Sequence, residues 1–425
     1  MKEDSSISVI IPALDNPSEV QEVIKALNLQ SFVPKEILIC DSSSNEEIKN
    51  LIQIIDTKIE INYLKVGEAF LFDRFLLFIN PFFFTKKVLN LEKKGRAYPY
   101  EATNQGSKMA KGKFLAFLDA STVPEKDWLK DYLFFLQEKD VKVVFGTTRY
   151  LANSNFQKLF RASTFGNKAH ETNPGTLIRK KDFLLSGQFI NGLRSGADLE
   201  WRQRVKSRFS FFLPKEPYLN YSDLSGNLIS ASKKIFIYQL YGSRLDIQNT
   251  VKDIYLGLLL IFSAILIPKW NSFVGWESSS LYMPNITKLY LLGLVVIFLT
   301  TLIINRGVLK KLSNSFFSNI LKLLIFIFVF LGVFRWNGAI AGWVESSVWY
   351  IPHITKIFIG VVVLSSLAYR GLYFPLKNEV RKKYLFPLKW LQVGLLGLFL
   401  DLIKAPGYLI GSILSPFNKK IKQNV

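Results

Sequence analysis

The chain has 425 residues, enough for two or three domains, and 49% of them are hydrophobic although the formal net charge is +21. The first 251 residues hold 35 Lys and Arg against 28 Asp and Glu, and the remaining residues hold 19 against 5. A basic excess concentrated in an apolar C-terminal part favours anionic lipid as partner and counts against nucleic acid. The single cysteine, Cys40, excludes an internal disulfide and a cysteine-based zinc site.

The N-terminal half is predicted to alternate strands and helices. Strands are predicted at 7–12, 36–41, 59–65 and 113–119, with helices at about 17–29, 42–55 and 101–112. This order indicates a parallel α/β sheet, whose ligands bind at the carboxyl ends of the strands, where Asp41 and Asp119 lie. The acidic N-terminus shows no cleaved signal peptide, so we expect the N-terminal domain to stay in the cytoplasm.

An aromatic segment, 69–84, interrupts this alternation. It is too short and too broken by Asp73, Arg74 and Pro81 to span a bilayer. Two interpretations remain open: an additional core helix, or a flap that lies on the membrane surface near the active site.

The C-terminal part is predicted to be an all-α membrane domain. Apolar runs that could span a bilayer lie at 251–267, 289–304, 316–334 and 356–369, and a less certain one lies at 390–403. The basic loops at 306–322 and 370–389 predict a cytoplasmic side shared with the N-terminal domain. The predicted organisation is a cytoplasmic domain (1–230), an interfacial amphipathic segment (231–250), four transmembrane helices (251–371), and a basic loop with an interfacial or re-entrant helix (372–425).

The two outer loops of this membrane domain are copies of each other. Residues 269–288 match residues 335–356, which indicates a duplicated helical hairpin with a period of about 66 residues. Five of the eight tryptophans lie in these loops, as expected for an aromatic belt at the interface. A binding role for Glu277 and Glu345 is the alternative interpretation.

Four stretches in order resemble family 2 glycosyltransferases with the GT-A fold. Residues 8–44 contain a strand that ends in a proline, a helix, and a strand that ends in Asp-Ser-Ser-Ser. Residues 95–129 contain an Asn-x-Gly helix before the strand that ends at Asp119. Residues 174–189 and 196–205 are similar to the family's acceptor side. The resemblance covers about residues 6–210 and implies a Rossmann-like nucleotide-sugar domain.

The resemblance also implies which residues bind the donor. The expected donor-binding residues are Pro12, Asp41, Ser43, Asn104, Asp119 and Ser121. For Asp41 the alternative is an aspartate that satisfies the amides of its own turn, and for Asp119 it is a structural role.

The metal motif of the family is incomplete. Ser121 stands where a second carboxylate is expected beside Asp119, and a hydroxyl is a poor ligand for Mg²⁺ or Mn²⁺. Three alternatives follow: a weakly held divalent cation at Asp119, a non-catalytic relic, or neutralisation of the leaving group by side chains. The cations considered for the last are Arg149, Lys168, Arg179 and Lys180.

The acceptor block of the family implies a catalytic base. Asp198 matches that aspartate, Glu200 is the fallback, and Arg202 or Arg204 matches the arginine that serves the diphosphate or orders the site. Either carboxylate could instead be an ordinary surface residue. The polar segment 170–175 predicts an acceptor loop that includes Pro174, Gly175 and Thr176, and His170 is a weaker candidate for a metal ligand.

Together these features predict a multi-pass protein of the plasma (inner) membrane. It would be an inverting glycosyltransferase that moves a sugar from a nucleotide-sugar donor to a lipid-linked or other membrane-associated glycan. The alternative is a catalytically degenerate nucleotide-sugar-binding module on a membrane scaffold or transport domain. Transport would require polar residues within the spans, and the predicted spans contain almost none.

Overall fold

The computed structural model describes residues 5–67, 97–243 and 366–414, together with residues 245, 269, 270 and 364. The chain divides into two compact units, one of residues 1–247 with 369–425 and one of residues 248–368. The predicted aromatic segment and the duplicated hairpin, apart from a few residues, lie outside the described residues. Within the described part, no helix is both long and apolar enough to cross a membrane.

The first unit contains nine described strands and eleven described α-helices. The strands are β1 (Ile7–Ala13), β2 (Glu36–Asp41), β3 (Glu60–Lys65), β4 (Phe114–Phe117), β5 (Thr122–Pro124), β6 (Val143–Tyr150), β7 (His170–Arg179), β8 (Phe211–Phe212) and β9 (Leu219–Tyr221). The helices are α1 (Pro17–Asn28), α2 (Glu47–Ile54), α3 (Pro99–Met109), α4 (Trp128–Glu138), α5 (Asn155–Thr164), α6 (Lys180–Leu185), α7 (Ala197–Arg208), α8 (Leu228–Gly242), α9 (Phe374–Lys377), α10 (Lys382–Leu385) and α11 (Lys389–Leu414).

The strands form one mixed sheet in the order β3-β2-β1-β4-β7-β6-β9-β5, with β8 beside β6. Strands β1 to β4 are parallel, as predicted from their apolar runs and intervening helices. The second half departs from the predicted parallel pattern, because β7 runs antiparallel to both β4 and β6. The carboxyl end of β4 therefore lies beside the first half of β7, and the candidate site lies at this end of the two strands.

Both faces of the sheet are covered by apolar side chains. Val20, Val23 and Leu27 of α1 are fully buried against one face. On the other face Phe117 meets the ring of Trp201 at 6.1 Å and 90°, an edge-to-face contact that aromatic pairs prefer. Trp201 lies on α7, so its burial fixes the helix that carries the predicted catalytic residues.

The C-terminal segment is part of the same unit as the N-terminal domain. Helix α11 packs along α8 and α5 with Leu396 and Leu400 buried beside Phe160 and Ile235. Asp401 of α11 accepts hydrogen bonds from Arg370 and, at 2.9 Å, from Lys404. Residues 369–425 belong to one compact unit with residues 1–247. The assignment of 372–425 to a basic loop with an interfacial or re-entrant helix stays a prediction.

Candidate active site

Asp119 lies in the turn after β4, where its backbone carbonyl accepts a hydrogen bond from Thr122 at 3.0 Å. Its side chain is partly buried. Burial, reinforced by the negative charge of Asp198, raises the pKa of Asp119 to about 7, and the cation of Lys234 opposes this shift. Two carboxylates that were predicted separately therefore act on each other in one site.

Asp198 lies in the first turn of α7, after Gly196 at φ 88°. A carboxylate there is favoured by the helix dipole. Arg202, one turn along the same face, donates to Asp198 Oδ2 at 3.3 Å and to the backbone carbonyl of Glu171 at 2.9 Å. The guanidinium also lies 3.1 Å from a carboxylate oxygen of Glu171. Arg202 thus orients Asp198 within the site.

Glu200 and Arg204 form a separate pair on α7. The guanidinium of Arg204 donates to both carboxylate oxygens of Glu200 at 2.8 Å. It also donates to the carbonyls that follow α6, at 2.7 Å for Gly187 and 3.0 Å for Gln188, and to that of Ser186. Residues 198 and 200 point about 200° apart around a helix, so the structure places Glu200 away from Asp198. Its role as fallback base stays a prediction, as does a catalytic role for Arg204.

A cation that the sequence analysis did not select lies within electrostatic reach of Asp119. Lys234 on α8 donates to the hydroxyl of Tyr221 at 2.7 Å and to the carbonyl of Asp223 at 3.3 Å. Burial lowers the pKa of Lys234, and the charges of Asp223 and Asp119 oppose that shift. Little in the sequence indicated this role, because Lys234 belongs to the segment 231–250, whose mixed Phe, Tyr and Lys content predicted a position among lipid headgroups.

Tyr150 on β6 and Tyr100 on α3 lie within electrostatic reach of both carboxylates. Burial, and then the charges of Asp198 and Asp119, raise the pKa of Tyr150 to about 12 and the pKa of Tyr100 well above its usual range. Their neutral hydroxyls can both donate and accept hydrogen bonds. Because β6 and α3 are far apart in the sequence, the sequence did not indicate that Tyr150 and Tyr100 are both coupled to these carboxylates.

Asp41, Ser43 and Pro12 lie at the carboxyl ends of β2 and β1. The Asp41 carboxylate is fully buried and accepts hydrogen bonds from the Ser43 amide at 2.8 Å, the Tyr63 hydroxyl at 2.8 Å and Lys65 at 3.2 Å. The alternative interpretation, an aspartate that satisfies its own turn, accounts for the Ser43 contact. Donor binding by these three predicted residues stays a prediction.

Asn104 joins α3 to the segment before α7. Its amide donates to the carbonyl of Phe189 at 2.8 Å and to the side chain of Asn191 at 3.0 Å, and its carbonyl accepts from the Phe189 amide at 3.1 Å. Those contacts hold the segment that leads to Asp198. Ser121 lies two residues beyond Asp119 and is partly buried. A donor contact by Asn104 or Ser121 stays a prediction.

The predicted acceptor loop is not a loop. Pro174, Gly175 and Thr176 are buried within β7, so the prediction of loop structure for this segment is wrong. Pro174 and Gly175 lie opposite a register shift in β6, and the indole of Trp128 donates to the Gly175 carbonyl at 2.9 Å. The irregular pairing admits a proline and a glycine that regular strands disfavour, which explains why the sequence suggested a loop.

The cations first considered for the leaving group are scattered. Arg179 pairs with Phe114 at the start of β4, and Lys180 donates to the Ala110 carbonyl at 2.6 Å. Both therefore lie at the opposite end of β4 from Asp119. His170 makes a 2.7 Å hydrogen bond with the Phe165 carbonyl, and burial lowers its pKa.

The described side chains near Asp119 offer few ligands for a divalent cation. Among the described residues no group of three or more His, Cys, Asp and Glu could hold a metal ion. Asp119 and Ser121 would have to share such an ion with the donor's diphosphate and with water. A requirement for Mg²⁺ or Mn²⁺ stays a prediction, and no chemical step below is assigned to a metal.

Part of this site lies within a match to a known protein family. Residues 84–192 match the family described as Glycosyl transferase family 2. The chain is 24% identical to Glycosyltransferase AglE of Haloferax volcanii over 211 residues, 47% of this chain and 60% of AglE. It is 31% identical to Uncharacterized glycosyltransferase RC0461 of Rickettsia conorii over 147 residues, 35% of this chain and 19% of that protein.

Among solved structures, the chain is similar to S. aureus TarS 1–349 in complex with UDP-GlcNAc, with 14% identity and a TM-score of 0.37 over 88% of this chain and 89% of that one. The chain spans 60% or less of the length of the two curated relatives above. The family match covers Asn104, Asp119 and the β7 segment and stops just before α7. Residues 84–192 are therefore similar to the family 2 glycosyltransferases, in agreement with the resemblance of the sequence.

Proposed function

We propose that the chain transfers a sugar from a nucleotide-sugar donor to an acceptor hydroxyl with inversion at the anomeric carbon. The observation that carries the proposal is the electrostatic coupling of Asp119, which follows β4 within the family match, with Asp198 on α7. The names of the curated relatives as glycosyltransferases support the same reaction class.

In the proposed reaction Asp198 is the general base. Its carboxylate takes the proton of the acceptor hydroxyl while that oxygen bonds to the anomeric carbon and the bond from that carbon to the diphosphate breaks. The diphosphate leaves with the bonding electron pair. Arg202 holds the carboxylate in place through its 3.3 Å contact. Lys234 contributes positive charge on the side of Asp119.

We place the acceptor at a membrane surface because of the outer face of α11. Leu388, just before α11, and Leu395 and Leu402 within it recur every seven residues and are 66%, 59% and 71% exposed, while Leu396 and Leu400 are buried on another face. Exposed Lys382 and Lys383 precede this face. An exposed apolar stripe beside basic residues suits an interfacial helix on anionic lipid. A lipid-linked or other membrane-associated glycan is the acceptor that such placement favours.

Donor screening with the full chain tests the proposal. Purified protein in detergent is incubated with labelled nucleotide sugars and a native lipid extract, and transferred label is measured. We expect transfer from at least one donor and a loss of roughly 100-fold or more for Asp198→Asn. If the wild-type protein neither transfers nor hydrolyses any donor, the proposed reaction is wrong.

Ser121 supports a second candidate, a nucleotide-sugar-binding module without catalysis, since it replaces a carboxylate of the metal motif. Donor binding without turnover would favour this candidate. Donor affinity with and without EDTA then tests the metal separately: unchanged affinity would contradict a metal-dependent donor site and leave the proposed base untouched.

A further inference from the structure

A second polar site lies beside α5, outside the Asp119 and Asp198 site. It is a cavity of about 370 Å³, in the lower part of the range of roughly 300–1,000 Å³ that is typical of small-molecule sites. Its lining consists of four cations, two neutral polar residues and two apolar residues: Arg149, Lys158, Arg161, Arg381, Asn167, Tyr384, Ala162 and Val380. No carboxylate is part of this lining.

The two walls of this basic cavity are held together by backbone contacts. One wall comes from β6 and α5, and the other comes from the C-terminal segment around α10. The Asn167 amide donates to the Asn378 carbonyl at 2.8 Å, and the Asn167 side chain donates to the Glu379 carbonyl at 3.1 Å. Gly166, at φ 75°, lies so close to Asn378 that a Cβ would come within 2.3 Å of its carbonyl oxygen. The cavity is therefore a built feature of the first unit.

Among the described residues, the cations of the basic cavity have no acidic partners. Within the described part of the chain no carboxylate lies within ion-pair distance of Arg149, Lys158, Arg161 or Arg381, whereas Arg202 is paired with two carboxylates and Arg204 with one. Arg161 donates to the Tyr150 carbonyl at 3.1 Å, and burial lowers the pKa of its guanidinium. Four like charges around one small volume repel each other unless an anion enters.

A hydroxyl group completes the set of donors. The Tyr384 hydroxyl is enclosed and has no hydrogen-bond partner among the described residues. It lies within electrostatic reach of Arg161, as their mutual effects on pKa indicate. An enclosed hydroxyl without a partner is costly unless a ligand accepts its proton.

We infer that the basic cavity binds a phosphate-bearing ligand with at least two negative charges. Planar guanidinium groups bind phosphate oxygens through paired hydrogen bonds, and the lysine and tyrosine add further donors. Arg149, which lines the cavity, and Tyr150, which is electrostatically coupled to Asp198 and Asp119, are neighbours on β6 and therefore point to opposite faces of the strand. The site therefore does not depend on the proposed donor site.

Binding of inorganic diphosphate to the purified full chain, measured by calorimetry at low salt, tests the inference. The variants are Lys158→Gln and Arg381→Gln, both at exposed side chains, and Tyr384→Phe, which removes a hydroxyl that no protein group uses. We expect each charge variant to bind at least about tenfold more weakly, and Tyr384→Phe to bind more weakly without loss of thermal stability. Lys25→Gln, which removes an exposed cation on α1, is the matched control and should bind as the wild type does.

A second arm identifies the source of the phosphate. Association of the same proteins is compared for phosphatidylcholine vesicles with and without phosphatidic acid. If phosphatidic acid increases vesicle association of the wild type but not of the cavity variants, the site binds a lipid phosphate. If diphosphate binds and phosphatidic acid does not increase vesicle association, the site binds a soluble phosphate. The inference is overturned if neither probe binds, or if binding is unchanged in all three cavity variants. Diphosphate binding that is lost only in Lys234→Met would place the anion at the donor site instead and overturn it as well.

Discussion

Replacing Asp119 with asparagine should stabilise the protein while it removes activity. The carboxyl of Asp119 has its pKa raised from the usual 3.8 to about 7, chiefly by burial. A carboxyl whose pKa is higher in the folded than in the unfolded state destabilises the fold as pH rises through that interval. Asparagine has nearly the same shape and no charge, so it removes this cost.

The size of the gain follows from the shift. A difference of about 3 pKa units corresponds to about 4 kcal/mol when the carboxyl is fully ionised. Because Asp119 is only partly buried, water screens part of this cost, and about 2 kcal/mol is the expected gain in the free energy of unfolding above pH 7. For a domain of this size such a gain raises Tm by about 4–8 °C.

Thermal unfolding of wild type and Asp119→Asn at pH 5 and pH 8 measures the effect. We expect a larger Tm difference at pH 8, because the wild-type carboxyl is still mostly protonated at pH 5. Asp56→Asn, at an exposed aspartate, is the control and should show no pH-dependent gain. A variant that is less stable than wild type at pH 8, or equally affected at both pH values, would refute the assignment of Asp119 to a desolvated site beside Asp198.

Two further substitutions test the packing that positions the site. Gly146→Ala should lower the free energy of unfolding by at least about 3 kcal/mol, because a Cβ would lie 1.8 Å from the Pro174 carbonyl oxygen. The control is Gly226→Ala, since nothing lies within 4 Å of the Cβ added there, and denaturant unfolding of the two variants measures the difference. Asp401→Asn should cost about 3 kcal/mol, since it leaves Arg370 without its partly buried partner, and faster limited proteolysis within 366–414 would reveal the loosened segment. Equal stability of the two glycine variants, or unchanged proteolysis, would contradict these contacts.

The first half of the sheet could be predicted because each strand is a continuous apolar run with a helix after it. Strands β1 and β2 are buried on both faces, so each appears in the sequence as a short continuous apolar run of strand length. The position of Asp119 at the end of β4 followed from the same pattern. Such apolar runs and the helical patterns after them are local features, and a single sequence is enough to recognise them.

The rest depended on contacts between distant residues. The antiparallel pairing of β7 with β4 joins segments about 60 residues apart, and neither segment alone encodes its direction. Lys234 reaches the site only because α8 packs across the domain. Likewise, the sequence predicts a cytoplasmic loop at 370–389 but does not predict its packing beside α5, which creates the basic cavity. Counting charges in the sequence detects these basic residues but does not indicate which part of the domain they contact.

Transfer activity and donor binding of Asp198→Asn, measured side by side, test the central claim most directly. The account predicts a loss of transfer of roughly 100-fold or more with donor affinity within a few-fold of wild type, because the base acts on the acceptor proton. Glu200→Gln, on the other side of α7, should keep most of its activity. Near-normal transfer by Asp198→Asn, or a comparable loss in Glu200→Gln alone, would contradict the assignment of Asp198 as the catalytic base.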